Sequence, residues 1–255
     1  MNKATDSRQL IVTRPNKTVY RDGDRIIKVF TKNHGKANVF NEALCTARVE
    51  ESGLDIPSVL EVYEEEEGCW TIALEYVEGR NLQELMEEEP AKTKDYLEQF
   101  VDLQLAMHEK TAPRLTLQRD KFSRKINSLK ETLDATDRYE LLTRLDTMPN
   151  HTKLCHGDFN PSNVIVRPDG TMTITDWAHA TQGNASADAA ITYLQFALKD
   201  KETADRYLEI FCKKSDTARQ YVEKWLPIAA AVQLTKNVEE EREFLLRWAN
   251  IIDFQ

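Results

Sequence analysis

The sequence predicts an α+β fold in two parts, a small antiparallel sheet carrying one helix and then a larger, mostly helical region. Three observations predict it. Short β-rich runs separated by turn residues fill the first ~80 positions. Helical apolar spacing takes over from Asn81 onward. The chain has 255 residues, 41% apolar and 30% charged, which is enough for a large core and far from the composition of disordered chains.

Residues 9–12, 18–21 and 25–31 read as strands, the last two joined by Asp22-Gly23-Asp24, a hairpin turn signal. Phe40, Ala43, Leu44 and Ala47 recur at i, i+3, i+4, i+7 and predict a helix from about Ala37 to near Gly53, with Pro57 blocking its continuation. Residues 59–64 and 70–77 are two more strands, joined by the charged tip Glu65-Glu66-Glu67-Gly68, which reads as a solvated hairpin loop. Beyond Glu78-Gly79, Leu97, Phe100, Val101 and Leu105 form one helical stripe, and Phe122, Ile126, Leu129 and Leu133 another. Three β-like runs interrupt the helices at 153–155, 164–166 and 172–175, the last two joined by Pro168-Asp169-Gly170. Helices then resume, marked by Ala187, Ala190, Ile191, Leu194 and Leu198, by Trp225, Ile228 and Ala229, and by Leu245, Trp248 and Ile252. The expected division is a small lobe over residues 1–75, a connector at 76–80 and a helical lobe over 81–255, with the chemistry in the crevice between lobes.

Lys and Arg number 34 against 43 Asp and Glu, a net charge of −9. That argues against binding nucleic acid or anionic lipid and makes a cationic small molecule the more natural guest. Residues 1–7 have no apolar stretch behind Lys3, and no segment approaches the ~20 apolar residues of a membrane span. A cytoplasmic protein is expected. Cys45, Cys69, Cys155 and Cys212 form no C-x-x-C pair and read as reduced, packed thiols.

The densest polar constellation is His156-Gly157-Asp158-Phe159-Asn160-Pro161-Ser162-Asn163, between two of the short strands; Thr175-Asp176-Trp177-Ala178 leaves the next one. Two carboxylates and an amide at the ends of adjoining strands are hard oxygen ligands of the kind that suits Mg²⁺. His156-Gly157-Asp158-x-x-x-x-Asn163 followed by Ile174-Thr175-Asp176-Trp177 resembles the motif pair of the aminoglycoside phosphotransferase and choline kinase family, relatives of the protein kinases.

That resemblance implies a bilobal protein-kinase-like fold and an ATP- and Mg²⁺-dependent phosphotransferase, with GTP as the alternative donor. The γ-phosphoryl group would pass to a hydroxyl of a small molecule, an aminoglycoside-like antibiotic or another hydroxylated metabolite. Position by position, it implies that Asp158 is the catalytic aspartate, that Asn163 and Asp176 hold Mg²⁺, and that His156 buttresses the loop. Lys28 matches the strand lysine that contacts phosphates; a lysine on the wet face of a strand is the commoner explanation of such a residue, and the downstream motifs reverse it. Glu42 is the candidate partner of Lys28 and lies off the Phe40/Leu44 stripe, facing either the cleft or water. Glu75 and Val77 in the connector match backbone positions that hydrogen-bond adenine, and Asp188 matches a buried aspartate that ties down the catalytic loop.

Two departures from the protein kinases are visible. The expected phosphate loop, Arg14-Pro15-Asn16-Lys17-Thr18, contains no glycine, leaving backbone amides or the Thr18 hydroxyl to reach phosphate. Eleven residues separate Asp176 from Asp188, with no Ala-Pro-Glu segment, so a peptide-binding activation loop has no room. A small-molecule acceptor is favoured. A choline- or ethanolamine-type kinase is the alternative enzyme, and an inactive kinase-like binding protein the alternative of another class.

Overall fold

The computed structural model describes residues 8–250, so Ile252 and the first seven residues lie outside the described residues. The elements of the sheet region are β1 (Gln9–Arg14), β2 (Lys17–Asp22), β3 (Arg25–Phe30), α1 (Lys36–Glu50), β4 (Val59–Glu66) and β5 (Cys69–Glu75). They are followed by β6 (Arg80–Asn81), α2 (Leu82–Glu88), α3 (Thr93–His108), α4 (Gln118–Ser128), α5 (Ala135–Thr147), β7 (Lys153–Cys155), β8 (Val164–Val166) and β9 (Met172–Ile174). The chain closes with β10 (Thr181–Gly183), α6 (Ala185–Ala197), α7 (Lys201–Ser215), α8 (Arg219–Glu223), α9 (Leu226–Leu234) and α10 (Glu239–Ala249). Two compact units result: the described residues up to Leu85 together with Ser162–His179, and Met86–Pro161 together with the described residues from Ala180 on.

In the first unit, among the described residues, five strands form an antiparallel sheet in the order β1-β2-β3-β5-β4. Gly23, at φ 63°, closes the β2–β3 hairpin in the left-handed region that glycine enters without penalty. The pairing sets Val19 opposite Lys28. Alternation therefore puts Lys17, Val19, Ile26 and Lys28 on one face, with Thr18 and Ile27 on the other. On the first face Phe30, Ile72 and Leu74 pack with Val39 and Ala43 of α1 into the core of this unit.

The phase of α1 differs from the hydropathy reading. Its buried positions are Val39, Glu42, Ala43, Cys45, Thr46 and Val49, whereas Phe40 is 44% and Leu44 47% exposed. A buried carboxylate without a partner is costly, and Glu42 has one: Lys28 Nζ donates to its Oε1 at 2.7 Å. That bond, rather than amphipathic contrast, sets the rotation of the helix. Phe40 retains an edge contact with Trp70 at 5.1 Å between ring centroids.

The same unit holds a three-stranded sheet in the order β6-β8-β9. β6 has two residues, too few to show any period in the sequence, so the expectation of helix from Asn81 onward is displaced by one short strand. Its approach to β8 requires Gly79: a Cβ there would lie 2.3 Å from the Val166 carbonyl oxygen. Asn81 Nδ2 donates to the Ser162 carbonyl at 2.7 Å and holds the segment before Asn163.

In the second unit β7 pairs antiparallel with β10, Cys155 opposite Thr181. Nearly all of α6 and the whole of α9 are buried, as their almost uninterrupted apolar sequences require. Asn184 starts α6 by accepting from Ser186 N, and Asp200 starts α7 by accepting from the Glu202 and Thr203 amides. Phe100 stacks on Phe159 at 4.2 Å, seating the polar loop on α3. Trp225 is buried and Trp248 meets Tyr193 edge-on at 5.9 Å, so both pack as their helical spacing suggests. Glu239, Glu240 and Glu241 occupy the first turn of α10, where the helix dipole favours carboxylates. Among the described residues no helix is long and apolar enough to cross a membrane.

The α1 phase is testable by paired truncation. Val49→Ala should cost about 2 kcal/mol in urea unfolding and Leu44→Ala under about 0.5 kcal/mol. The reverse ranking would restore the hydropathy phase.

Candidate active site

The sheet unit contains a cavity of about 830 Å³ whose lining includes Lys17, Lys28, Glu75, Val77, Asn163 and Asp176. Lys28 stands at its chemical centre. Its ammonium donates to Glu42 Oε1 at 2.7 Å and to Asp176 Oδ1 at 2.9 Å. The Lys28 and Glu42 side chains are each 9% exposed, and that of Asp176 is 31% exposed. Burial alone would lower the pKa of Lys28, but Asp176 and Glu42 overcome it and hold the ammonium above its ordinary range. Burial would likewise raise Asp176, but Lys28 and Lys17 hold it well below the usual carboxylate range. The backbone of Asp176 is itself unusual, with φ at 63°, a conformation that costs a non-glycine residue energy and clusters at functional sites.

Lys17 was not singled out in the sequence. Its ammonium lies 3.4 Å from Asp176 Oδ2 and 3.6 Å from Glu42 Oε1. Strand alternation and the Val19/Lys28 pairing were the available signals, because they set Lys17 on the face of Lys28. Thr18, one residue on, points to the opposite face and is not among the cavity residues. In the glycine-free segment the cavity thus receives a lysine side chain where a hydroxyl was expected.

Asn163 ends a short 3-10 turn beginning at Pro161, and its carbonyl accepts from Thr175 N at 2.8 Å, fixing the residue just before Asp176. At the other end of the cavity Glu75 finishes β5, its amide donating to the Ser58 carbonyl and its carboxylate accepting from Ser58 N. Tyr76 N donates to the Asp24 carbonyl at 2.8 Å. The guanidinium of Arg21 lies 3.9 Å from the Tyr76 ring centre, a cation–π contact on the cavity lining.

The donor set fits the groups that the resemblance implies. A carboxylate and a side-chain amide at one end suit Mg²⁺, two lysines suit phosphate oxygens, and the peptide groups at 75–77 suit a planar heterocycle. Five of the eight predicted site residues line this cavity, and Glu42 joins them through Lys28.

Asp158 belongs to the helical unit. Gly157, at φ 78°, turns the backbone so that the His156 and Gly157 amides both donate to Asp188, at 3.2 and 2.7 Å. Asp188 also pairs with His108 Nε2 at 3.0 Å. Burial would raise the pKa of this carboxyl, and the His108 hydrogen bond and the backbone donors hold it below its ordinary value. His156 is buried and its Nδ1 accepts from Asp158 N at 3.2 Å, a loop-bracing contact. The Asp158 carboxylate meets two groups that the sequence did not flag: Lys236 Nζ donates to Oδ1 at 2.6 Å, and Gln195 Nε2 donates to the same oxygen.

The model described as the phosphotransferase enzyme family matches residues 8–223. No curated protein matches the chain by sequence. Among solved structures, an aminoglycoside phosphotransferase APH(4)-Ia variant in ternary complex with ADP and hygromycin B is similar at a TM-score of 0.70 and 15% identity, over 96% of this chain and 90% of that one. A choline/ethanolamine kinase family protein from Mesorhizobium loti is similar at a TM-score of 0.62 and 16% identity, over 92% of this chain and 79% of that one. At such identities the likenesses establish the fold.

Two measurements test the charge cluster. Lys28→Met leaves Glu42 and Asp176 with Lys17 as their one remaining shared cation and should cost about 3 kcal/mol of stability in urea; a loss under about 1 kcal/mol would contradict the pairing. Because the Asp176 pKa is depressed in the folded state, its contribution is fully present above the ordinary value near 3.8 and fades as pH falls. Asp176→Asn should therefore flatten the acid limb of Tm against pH, and superimposable limbs would count against it.

Proposed function

The chain belongs to the phosphotransferase enzyme family, and we propose that it transfers the γ-phosphoryl group of ATP, with Mg²⁺, to a hydroxyl of a small molecule. The observation that carries this reading is the ammonium of Lys28, held between the Glu42 and Asp176 carboxylates at the wall of a nucleotide-sized cavity. A buried lysine with two acidic partners is positioned and charged before any ligand arrives, which suits it to hold the α and β phosphates.

Residue roles follow from this chemistry. Lys28 and Lys17 neutralise phosphate oxygens, and Glu42 keeps the Lys28 side chain extended toward them. The Glu75 carbonyl and the Val77 amide hydrogen-bond the base. Asn163 and Asp176 would hold Mg²⁺, which when bound supplies positive charge to the phosphoryl oxygens during transfer. Asp158 accepts the proton of the attacking hydroxyl and orients its oxygen for in-line attack. The short loop between Asp176 and Asp188 favours a small acceptor over a peptide.

The test separates binding from chemistry. ATP with Mg²⁺ should raise the Tm of both the wild type and Asp158→Asn, while the variant turns over about a thousandfold more slowly, worth ~4 kcal/mol of barrier. A protein unaffected by any nucleoside triphosphate, or a variant as active as the wild type, would overturn the reading.

A further inference from the structure

We propose that Arg14 is a further nucleotide-binding residue, its guanidinium gripping the γ-phosphoryl oxygens of the donor in place of the amides of a glycine-rich loop. This rests on the phosphotransferase reading above and deepens it at one residue that neither the motif pair nor the Lys28 cluster employs.

Arg14 lines the cavity of about 830 Å³. It ends β1 and stands directly opposite Lys17, the first residue of β2. Directly opposed residues of an antiparallel pair point to one face with Cβ atoms about 5 Å apart, so Arg14 leaves the sheet on the face of Lys17 and Lys28. The Lys17 ammonium in turn lies 3.4 Å from Asp176 Oδ2. Arg14 therefore belongs to the Asp176 end of the cavity, where phosphates and Mg²⁺ would sit, and not to the Glu75 end. It is exposed, and among the described residues its guanidinium makes no hydrogen bond, ion pair or ring contact.

The neighbouring cations are already engaged. Lys17 and Lys28 are matched by Glu42 and Asp176, so two positive charges meet two negative ones before any ligand arrives. Arg21 donates to the Gly23 carbonyl and lies over the Tyr76 ring. Of the other lining carboxylates, Glu75 accepts from Ser58 N and Glu84 belongs to α2, and neither forms an ion pair with Arg14. A nucleoside triphosphate keeps net negative charge after Mg²⁺ binds, and Arg14 is a lining cation free to meet it. Its planar fork can donate to two oxygens of one phosphoryl group.

The turn that carries Arg14 is tied down. Pro15 fixes its own φ and has no N–H to offer phosphate. The Asn16 carbonyl accepts from Thr31 N at 2.9 Å, and the Asn16 side-chain nitrogen lies 3.3 Å from His34 Nδ1. His34 stacks on Phe30 at 4.8 Å between ring centroids. These contacts pin the turn to the end of β3, so a side chain delivered from a held backbone replaces amides folded over the phosphates.

The test compares nucleotides that differ in the γ-phosphoryl group and needs no acceptor. Dissociation constants for AMP-PNP and for ADP, each with Mg²⁺, are measured by calorimetry on the wild type, Arg14→Ala and Arg14→Lys. Arg14→Ala removes an exposed side chain without a partner, so its unliganded Tm should match that of the wild type. AMP-PNP should bind Arg14→Ala about tenfold more weakly, with ADP changed by less than about twofold. Arg14→Lys, which keeps the charge and loses the fork, should fall between the two for AMP-PNP. Equal losses for both nucleotides would mean a diffuse charge effect, and an unchanged AMP-PNP constant a solvated arginine. Either result would overturn the proposal and leave the nucleotide reading standing. A wild type that binds neither nucleotide would strike that reading instead.

Discussion

The sheet unit is organised around one ammonium group. Lys28 could be buried only if carboxylates met it, and Glu42 and Asp176 do so from elements far apart in sequence, a helix and the segment after β9. Removing either partner would leave charge uncompensated in a poorly solvated place, so the positions of α1, β3 and the turn at Asp176 are mutually dependent. The left-handed backbone at Asp176 is a cost that this arrangement sustains.

Much of this was legible in the sequence because the signals were local. Strand runs, the Gly23 turn and the His156–Asn163 loop are set by neighbours a few residues apart, and the fourteen-residue step from Lys28 to Glu42 is one strand end, a short connection with a 3-10 turn at Lys32–His34, and about two helical turns. The phase of α1 was not legible. Hydropathy ranks Phe40 and Leu44 above Glu42 for burial, and only knowledge of the opposing lysine reverses the ranking. Lys17 was hidden for a related reason: a strand lysine is ordinarily solvated, and only the register of β2 against β3 places this one beside Lys28. Lys236 and Gln195 carry no motif and reach Asp158 across separations of 78 and 37 residues, contacts that periodicity cannot anticipate.

The helical unit solves a different problem with the same economy. Asp188 accepts from two successive backbone amides and pairs with His108, so one buried carboxylate fixes the loop that presents Asp158. Gly157 permits this because its positive φ turns both amides to the same side. The braced base of the loop contrasts with its tip, where the Asp158 carboxylate meets the Lys236 ammonium and the Gln195 amide.

The inverted phase of α1 bears on how this protein can change over generations. Position 44 looks like core and is half exposed, so polar replacements there are cheap and lineages can drift through them, while Phe40 keeps only its edge contact with Trp70. A redesign that sharpened the helix's amphipathic contrast would roll it about its axis and swing Glu42 away from the strand lysine. A score based on hydrophobicity alone would count that loss as an improvement.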